Sequence, residues 1–417
     1  MILVTNTNWS GNIEFADTKT LHPTDIKELQ REVTANIKIR ARGSAHCFNH
    51  IADTDAVAII LDRMPADVVI DAAKKTVTVG AGMKYGEVAS FLHEQGWALH
   101  NLASLPHISI AGAIATGTHG SGVNSGGLQS AVRSLEIVMA DGSLRTINQS
   151  HGDLLNAVVV GLGLFGIVSR IELAIEPTFN IGQTIYQSLP RATYAQNFFS
   201  IMSTAYSVSY FTTWGPDGIG DVWAKYKEGA DIAPDLFGAL PAHKKLHPIP
   251  GIDARHCTEQ LGALGPWHQR LPHFKMESTP SVGDELQSEF FISIEDAPAA
   301  FAAIERLSSQ INPLLLVSEI RAVAADTHWM AGTYERHVAA FHFTWKKIGA
   351  VYDFLPQLEE VLAEFSYRPH LGKVFSAKTS YLQSVFPKFD DFSALTQEFD
   401  PTRKFHNQFT QQLLGLT

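Results

Sequence analysis

The chain has 417 residues, of which 45% are hydrophobic and 18% charged. That length suggests two or three domains at roughly 100–200 residues each, and the composition excludes wholesale disorder. Lys+Arg 32 against Asp+Glu 42 leave a net charge of −10, a sign that repels phosphate backbones and argues against a nucleic-acid partner.

Two cysteines, Cys47 and Cys257, exclude a disulfide framework and fit a reducing compartment. The N-terminus lacks a basic region followed by a cleavage site. The most apolar run, 157–168, is glycine-broken and short of the roughly 20 residues a membrane span needs. The expectation is a soluble cytoplasmic protein without a membrane partner.

In chain order, Thr24 is read as the cap of a helix carrying Ile26, Leu29 and Val33 on one face. Ile37 and Ile39 alternate with Lys38 and Arg40 as in a strand, which runs into the turn Arg42-Gly43-Ser44-Ala45-His46-Cys47-Phe48-Asn49. Further strands are expected at 56–61 and 76–79, and a helix at 85–95. Residues 103–127 are poor in charge and rich in glycine, and a long loop of that kind inside a compact domain is usually functional. Pro177 marks a domain boundary. A Pro-rich polar connection follows at 234–250, and a helix-rich tail at 386–414 is too short to stand alone, so it should pack back onto a domain.

Two glycine patterns invite a dinucleotide reading. Gly161-Leu162-Gly163-Leu164-Phe165-Gly166 fits G-x-G-x-x-G, but a helix-like segment precedes it and strand-like alternation follows, the reverse of the required order. The turn Gly80–Gly86 has the right order, yet no acidic residue stands about 20 residues on to hold a ribose. A nicotinamide-dependent reductase is therefore the weakest reading. No paired-cysteine or H-E-x-x-H pattern supports a metal, and none is expected.

Small residues and the hydroxyls of Ser104, Ser109, Thr116 and Thr118 suit close approach to a pyrophosphate or a polar ring edge. In the second half, Val317-Ser318-Glu319-Ile320-Arg321 and Phe341-His342-Phe343-Thr344-Trp345 alternate polar and apolar residues. As strands they put Glu319 with Arg321, and His342 with Thr344, on single faces. Such faces form either a polar floor in an apolar pocket or the solvated side of an antiparallel sheet.

The turn at 43–49, the segment 103–122, Ser318-Glu319-Ile320-Arg321, Arg368-Pro369-His370-Leu371-Gly372-Lys373 and Lys404-Phe405-His406-Asn407-Gln408-Phe409, in this order, resemble the FAD-linked oxidases of the vanillyl-alcohol oxidase superfamily. Within it the likeness is to the alditol (xylitol) oxidases, in the branch shared with sugar-lactone oxidases. The resemblance implies an α+β fold of two domains: an FAD-binding domain at 1–175, rejoined by 376–417, and an antiparallel-sheet substrate or cap domain at 176–375. It implies that Ala41, Arg42, Gly43, Ser44, Ala45, His46 and Cys47 cradle FAD, completed by Ser104, Ser109, Gly112, Thr116, Gly117, Thr118, His119 and Ile167. It further implies one covalent link, from His46 to the flavin. Relatives often carry serine after that histidine, where this chain has Cys47.

The family's substrate residues map onto Ser104, Glu319, Arg321, His342, Thr344 and Lys373. A polyol is a row of donor–acceptor hydroxyls, which Glu319 can orient, while Arg321 and Lys373 stabilise negative charge on the reacting oxygen and His342 relays its proton. The expected activity is oxidation of the terminal alcohol of a small alditol to the aldose, with O₂ reduced to H₂O₂, in a monomer. A sugar-1,4-lactone oxidase or dehydrogenase is the alternative within the class, and a flavin-free binding module is the alternative outside it.

Overall fold

The computed structural model describes residues 6–278 and 284–416. The first half builds short strands: β1 (Lys19–Leu21), β2 (Ile39–Ala41), β3 (Val57–Ile59), β4 (Val68–Asp71), β5 (Thr76–Gly80), β6 (Trp97–Ala98), β7 (Val132–Val138), β8 (Leu144–Asn148), β9 (Ile167–Ala174) and β10 (Glu176–Pro177). β1, β3 and β2 pair in that order as a small parallel sheet, and a second sheet runs antiparallel in the order β4-β5-β9-β7-β8.

Helix α1 (Ile26–Ala35) lays Leu29 and Val33 against Ile39, Ile59, Val138 and Ile167. Its cap is Asp25, whose carboxylate accepts from Glu28 N, and not Thr24, which instead bonds the Glu28 carboxylate. Ile37 is 92% exposed and precedes the strand it was expected to open. Helix α2 covers Tyr85–Glu94, α3 Ile110–Ala115 and α4 Asp153–Val159. The segment read as a loop thus carries α3, with Ile108, Ile110 and Ile114 buried. The order α4, Gly161–Gly166 turn, β9 is helix–turn–strand, the opposite of a dinucleotide fingerprint.

The second half is one nine-stranded antiparallel sheet made of β11 (Asn180–Pro190), β12 (Ser207–Thr212), β13 (Ile219–Lys227), β14 (Leu240–Pro241), β15 (Gly265–Pro266), β16 (Glu285–Ser293), β17 (Leu315–Val323), β18 (Val338–Lys346) and β19 (Arg368–Pro369). The order is β14-β11-β13-β12-β17-β18-β16-β19, with β15 beside β11. Period-2 alternation splits its faces. Phe290, Ile292, Ile320, Phe341, Phe343 and Trp345 face helices 297–305 and 350–363, forming one core with Phe301, Leu355 and Leu358. Burying each such side chain stabilises by about 1.5–3 kcal/mol. The buried indole of Trp345 donates to Ser288 Oγ at 2.8 Å, so the apolar layer leaves this polar atom satisfied.

The C-terminal helices return to the first domain: Leu382, Phe386, Phe389, Phe392, Leu413 and Leu414 share its core. Arg40 fastens that return. Its buried guanidinium donates to the carbonyls of Ile51, Leu162 and Phe405, bridging the first strands, the glycine turn and the tail. Arg40→Met should leave these buried acceptors unpaired and cost about 3 kcal/mol or more. A clearly lowered thermal midpoint is expected, and an unchanged one would show that the tail is held without Arg40.

Candidate active site

A cavity of about 420 Å³ runs between the two domains, from the turn at 41–48 to the polar face of the large sheet. At one end β2 delivers the chain into this turn. Ala45 sits at φ 56°, the left-handed region that costs an L-residue energy, and His46 follows it. The N-terminal arm braces the turn: Trp9 N donates to Ala45 O at 2.8 Å, Asn8 Nδ2 to Cys47 O at 2.9 Å, and the Trp9 ring stacks on His46 at 5.4 Å.

Ser44 and Ser109 lock the turn to α3 reciprocally, each hydroxyl accepting from the other's backbone N–H at 2.9 and 3.2 Å. Gly43 is required here, because a Cβ would stand 2.2 Å from Ser109 Oγ. The Nδ1 of His46 is buried without a hydrogen-bond partner, and burial pushes this imidazole down to about 4. Burial likewise raises the Cys47 thiol to about 11, so it stays protonated.

The other end is the sheet floor. Register sets Glu289 (β16), His342 (β18) and Glu319 (β17) side by side across three strands, with Phe211 (β12) next. Gln287, Thr344 and Val317 form the next row. Glu289, Glu319, Arg321, His342 and Thr344 are all buried, so this is a pocket floor and not a solvated face.

Glu289, 1% exposed, accepts from Arg321 Nη2 at 2.7 Å and Lys373 Nζ at 2.8 Å, with His119 Nε2 at 3.2 Å. Burial alone would raise its pKa, but Lys373, His119 and Arg321 outweigh burial and hold the carboxyl well below its usual range. Glu319 faces the same opposition between burial and the charges around it, chiefly Arg321 and His273, and is also held low. His273 Nε2 lies 2.9 Å from Glu319 Oε1, Arg321 Nε 3.6 Å from the same atom, and His342 Nδ1 3.9 Å from Oε2. Burial, then the charge of Lys373, drives His342 well below its usual pKa, so its ring is neutral, and its buried Nε2 has no partner.

Ala41, Arg42, Gly43, Ser44, Ala45, His46, Cys47, Ser104, Ser109, Gly112, Thr116, Thr118 and His119 line the cavity with Glu319, Arg321, His342, Thr344 and Lys373. The structure therefore gathers nearly all the residues singled out in the sequence. Gly117 and Ile167 do not line it; the Ile167 side chain packs in the core of α1. The Arg42 guanidinium turns away to an ion pair with Asp17 and lies over Phe15, leaving its backbone at the turn.

Sequence reading missed Glu289, His273 and Trp9, and gave no role to His370 although it stands in one of the recognised segments. Alternation of Glu285, Gln287 and Glu289 along β16 is a usable signal for the first, whereas His273 stands in an irregular stretch that offers none. The Pro-rich connection also gives more than a link, since His247, Pro248 and Ile249 close one wall.

Residues 19–148 match the FAD binding domain family, and 284–413 match the D-arabinono-1,4-lactone oxidase family. An alditol oxidase from a Streptomyces species is 42% identical over 98% of both chains. The chain belongs to the alditol oxidase family of FAD-linked oxidases. It is an FAD-dependent oxidoreductase.

An L-gulono-1,4-lactone dehydrogenase of Mycobacterium tuberculosis is 25% identical over 98% of both chains. In fold, the chain matches a Brevibacterium sterolicum cholesterol oxidase at TM-score 0.81 and 15% identity, covering 98% of this chain and 96% of that one. It matches a Myceliophthora thermophila xylooligosaccharide oxidase at 0.75 and 14% identity, covering 97% and 93%.

The residues present fit FAD. The cavity is lined by backbone around Gly43, Gly112 and Gly161, where side chains are small, and the orphaned His46 Nδ1 stands beside it. No helix among the described residues is long and apolar enough to cross a membrane.

Glu289 anchors two cations, so Glu289→Gln should destabilise the protein by about 3–5 kcal/mol at pH 7. Its folded pKa lies below its unfolded one. The contribution is thus complete above the unfolded value of about 4.3 and is lost as pH falls toward the folded value. Urea unfolding should show a wild-type advantage at pH 7 that narrows at pH below about 4; equal midpoints at pH 7 would refute the anchoring.

Proposed function

We propose that the enzyme oxidises the terminal primary alcohol of small alditols such as xylitol and sorbitol to the aldose, with O₂ reduced to H₂O₂ and FAD joined covalently to His46. Supporting this reading is the pairing, in one cavity, of the braced His46 turn with a floor of buried carboxylates and cations. FAD held along the turn at 41–47 and by Ser109, Gly112, Thr116 and Thr118 would supply the hydride acceptor and the route for two electrons to O₂.

The chain's own residues do the rest. Glu319 accepts hydrogen bonds from substrate hydroxyls and, with Ser104 and Thr344, sets their register. The neutral His342 has a free Nε2 to take the hydroxyl proton, and Glu319 Oε2, 3.9 Å from its Nδ1, stabilises the resulting imidazolium. Arg321 and Lys373 keep N–H groups near the oxygen that becomes the carbonyl, where charge develops as the hydride leaves. Their carboxylate partners are already in place, so little reorganisation is needed at that moment. FAD and substrate residues divide as FAD-binding (1–175, 376–417) and cap (176–375) domains.

Denatured in acid and run on a gel, the wild-type protein should keep flavin fluorescence with its band. His46→Ala should release the flavin. A dark wild-type band refutes the covalent link.

Arg321→Lys keeps a charge for Glu289 but loses the fork; Arg321→Ala loses both. Oxygen uptake with xylitol, normalised to flavin, should fall by about 10²–10³ in kcat for Arg321→Ala. Glu319→Gln should act mainly on KM. Near-wild-type turnover by the Arg321→Ala protein would remove this strand from the chemistry.

A further inference from the structure

Behind Glu319, on the side away from His342, stands a buried pair. Lys225, on β13, is 1% exposed and is not among the residues lining the cavity. Its ammonium donates to Leu271 O, lies 3.5 Å from Pro272 O, and reaches His273 Nδ1 at 3.3 Å. An ammonium has three donors and no acceptor, and all three directions here meet acceptors.

His273 is fixed on every side. Its ring stands edge-on to Phe211 and Trp223, each at 5.4 Å, and its backbone N–H donates to Ser104 O at 3.1 Å. While Lys225 is an ammonium, Nδ1 must carry the lone pair, and the Glu319 carboxylate asks for the same arrangement, so the proton sits on Nε2, aimed at Glu319 Oε1 2.9 Å away. Burial and the neighbouring Lys225 charge push this imidazole down to about 4, so it carries one proton at neutral pH. Glu319 Oε1 is then occupied, and Oε2 is turned toward the cavity side where His342 stands.

We propose that Lys225 is a positioning residue of the substrate site: by donating to His273 Nδ1 it fixes the Nε2–H tautomer and thereby aims Glu319 at the substrate's hydroxyls. The substrate half of this inference rests on reading the cavity as a polyol site. Lys225 faces His273, Glu319, Arg321 and the Cys257 thiol, which burial raises to about 12 and keeps neutral. Burial, opposed by Glu319 and aided by Arg321, pulls Lys225 down to about 7. Its hold on His273 is therefore strongest below that pH and weakens above it.

Three readouts on the flavin-loaded protein test the inference. Lys225→Met should retain wild-type flavin content yet raise KM for xylitol by on the order of 10-fold, with kcat less changed, the low end of what outer-shell hydrogen-bond partners are worth at metal sites. The wild-type KM should climb as pH passes about 7, and that limb should be missing in Lys225→Met. In a His273→Phe background, adding Lys225→Met should change KM no further, since the effect runs through the ring.

The tautomer is read separately from ¹⁵N-histidine spectra, with the His273 signals assigned by their loss in His273→Phe. An Nε2–H ring is expected. This readout does not need xylitol to be the substrate, and repeating it on Lys225→Met isolates the Lys225–His273 step. A ring that shifts toward the Nδ1–H form or a mixture is expected there, and an unchanged Nε2–H ring would show that Glu319 alone fixes the tautomer and overturn the proposal. At pH 6, where Lys225 is charged, an Nδ1–H ring or an imidazolium overturns the proposal, and so does a Lys225→Met protein with wild-type KM and an intact pH limb.

Discussion

Two carboxylates, Glu289 and Glu319, lie buried on the floor of the large sheet, and the site depends on how their charge is met. Isolated buried ions are prohibitively costly; paired and hydrogen-bonded ones persist. Here Arg321 sits between both carboxylates and Lys373 closes on Glu289, so each charge is held by the next. The histidines packed among them are forced neutral by burial and by the same cations, His342 and His370 alike. The chemical outcome is a set of donors and acceptors whose protonation states are fixed before a substrate arrives, the condition under which electrostatic stabilisation needs no reorganisation.

The cofactor end obeys a different constraint, close backbone approach. Gly43 clears Ser109, Ala45 takes a left-handed conformation, and Trp9 and Asn8 brace the turn so that His46 meets the cavity in one orientation. The two ends come from different domains. They are tied by contacts that cross between them, such as Phe48 N to Gly372 O and Asn49 Nδ2 to the carbonyls of Leu371 and Lys373. Lys373, the cation on Glu289, is thus positioned partly by the same turn that presents His46.

Much of this was legible in the sequence where one local rule governs. Alternation in Glu319-Ile320-Arg321 and Phe341-His342-Phe343-Thr344 gave the correct faces because a strand's period is fixed by its backbone. The reversed order around Gly161–Gly166 was readable for the same reason. What was hidden is what register and packing decide. Glu289 gains its role because β16 pairs with β18 at His342, a residue far along the chain that local sequence cannot bring to it. Lys225 and His273 meet only through the fold, and a polar head on a strand reads the same whether buried or exposed. Arg42 lines the cavity, but its guanidinium is held by Asp17 and Asn6 of the N-terminal segment, a pairing that nothing in the local sequence marks. The Pro-rich connection looked like a linker because its composition carries no sign that His247 and Ile249 cap a cavity.

The central claim joins a flavin cradle to a polyol floor in one reaction chamber. Its most direct test is anaerobic mixing of the purified flavoprotein with xylitol, followed by air. The account predicts that the oxidised flavin band bleaches with xylitol and sorbitol, returns in air, and leaves one H₂O₂ for each alditol oxidised. A band unmoved by alditols but bleached by a sugar 1,4-lactone would contradict it.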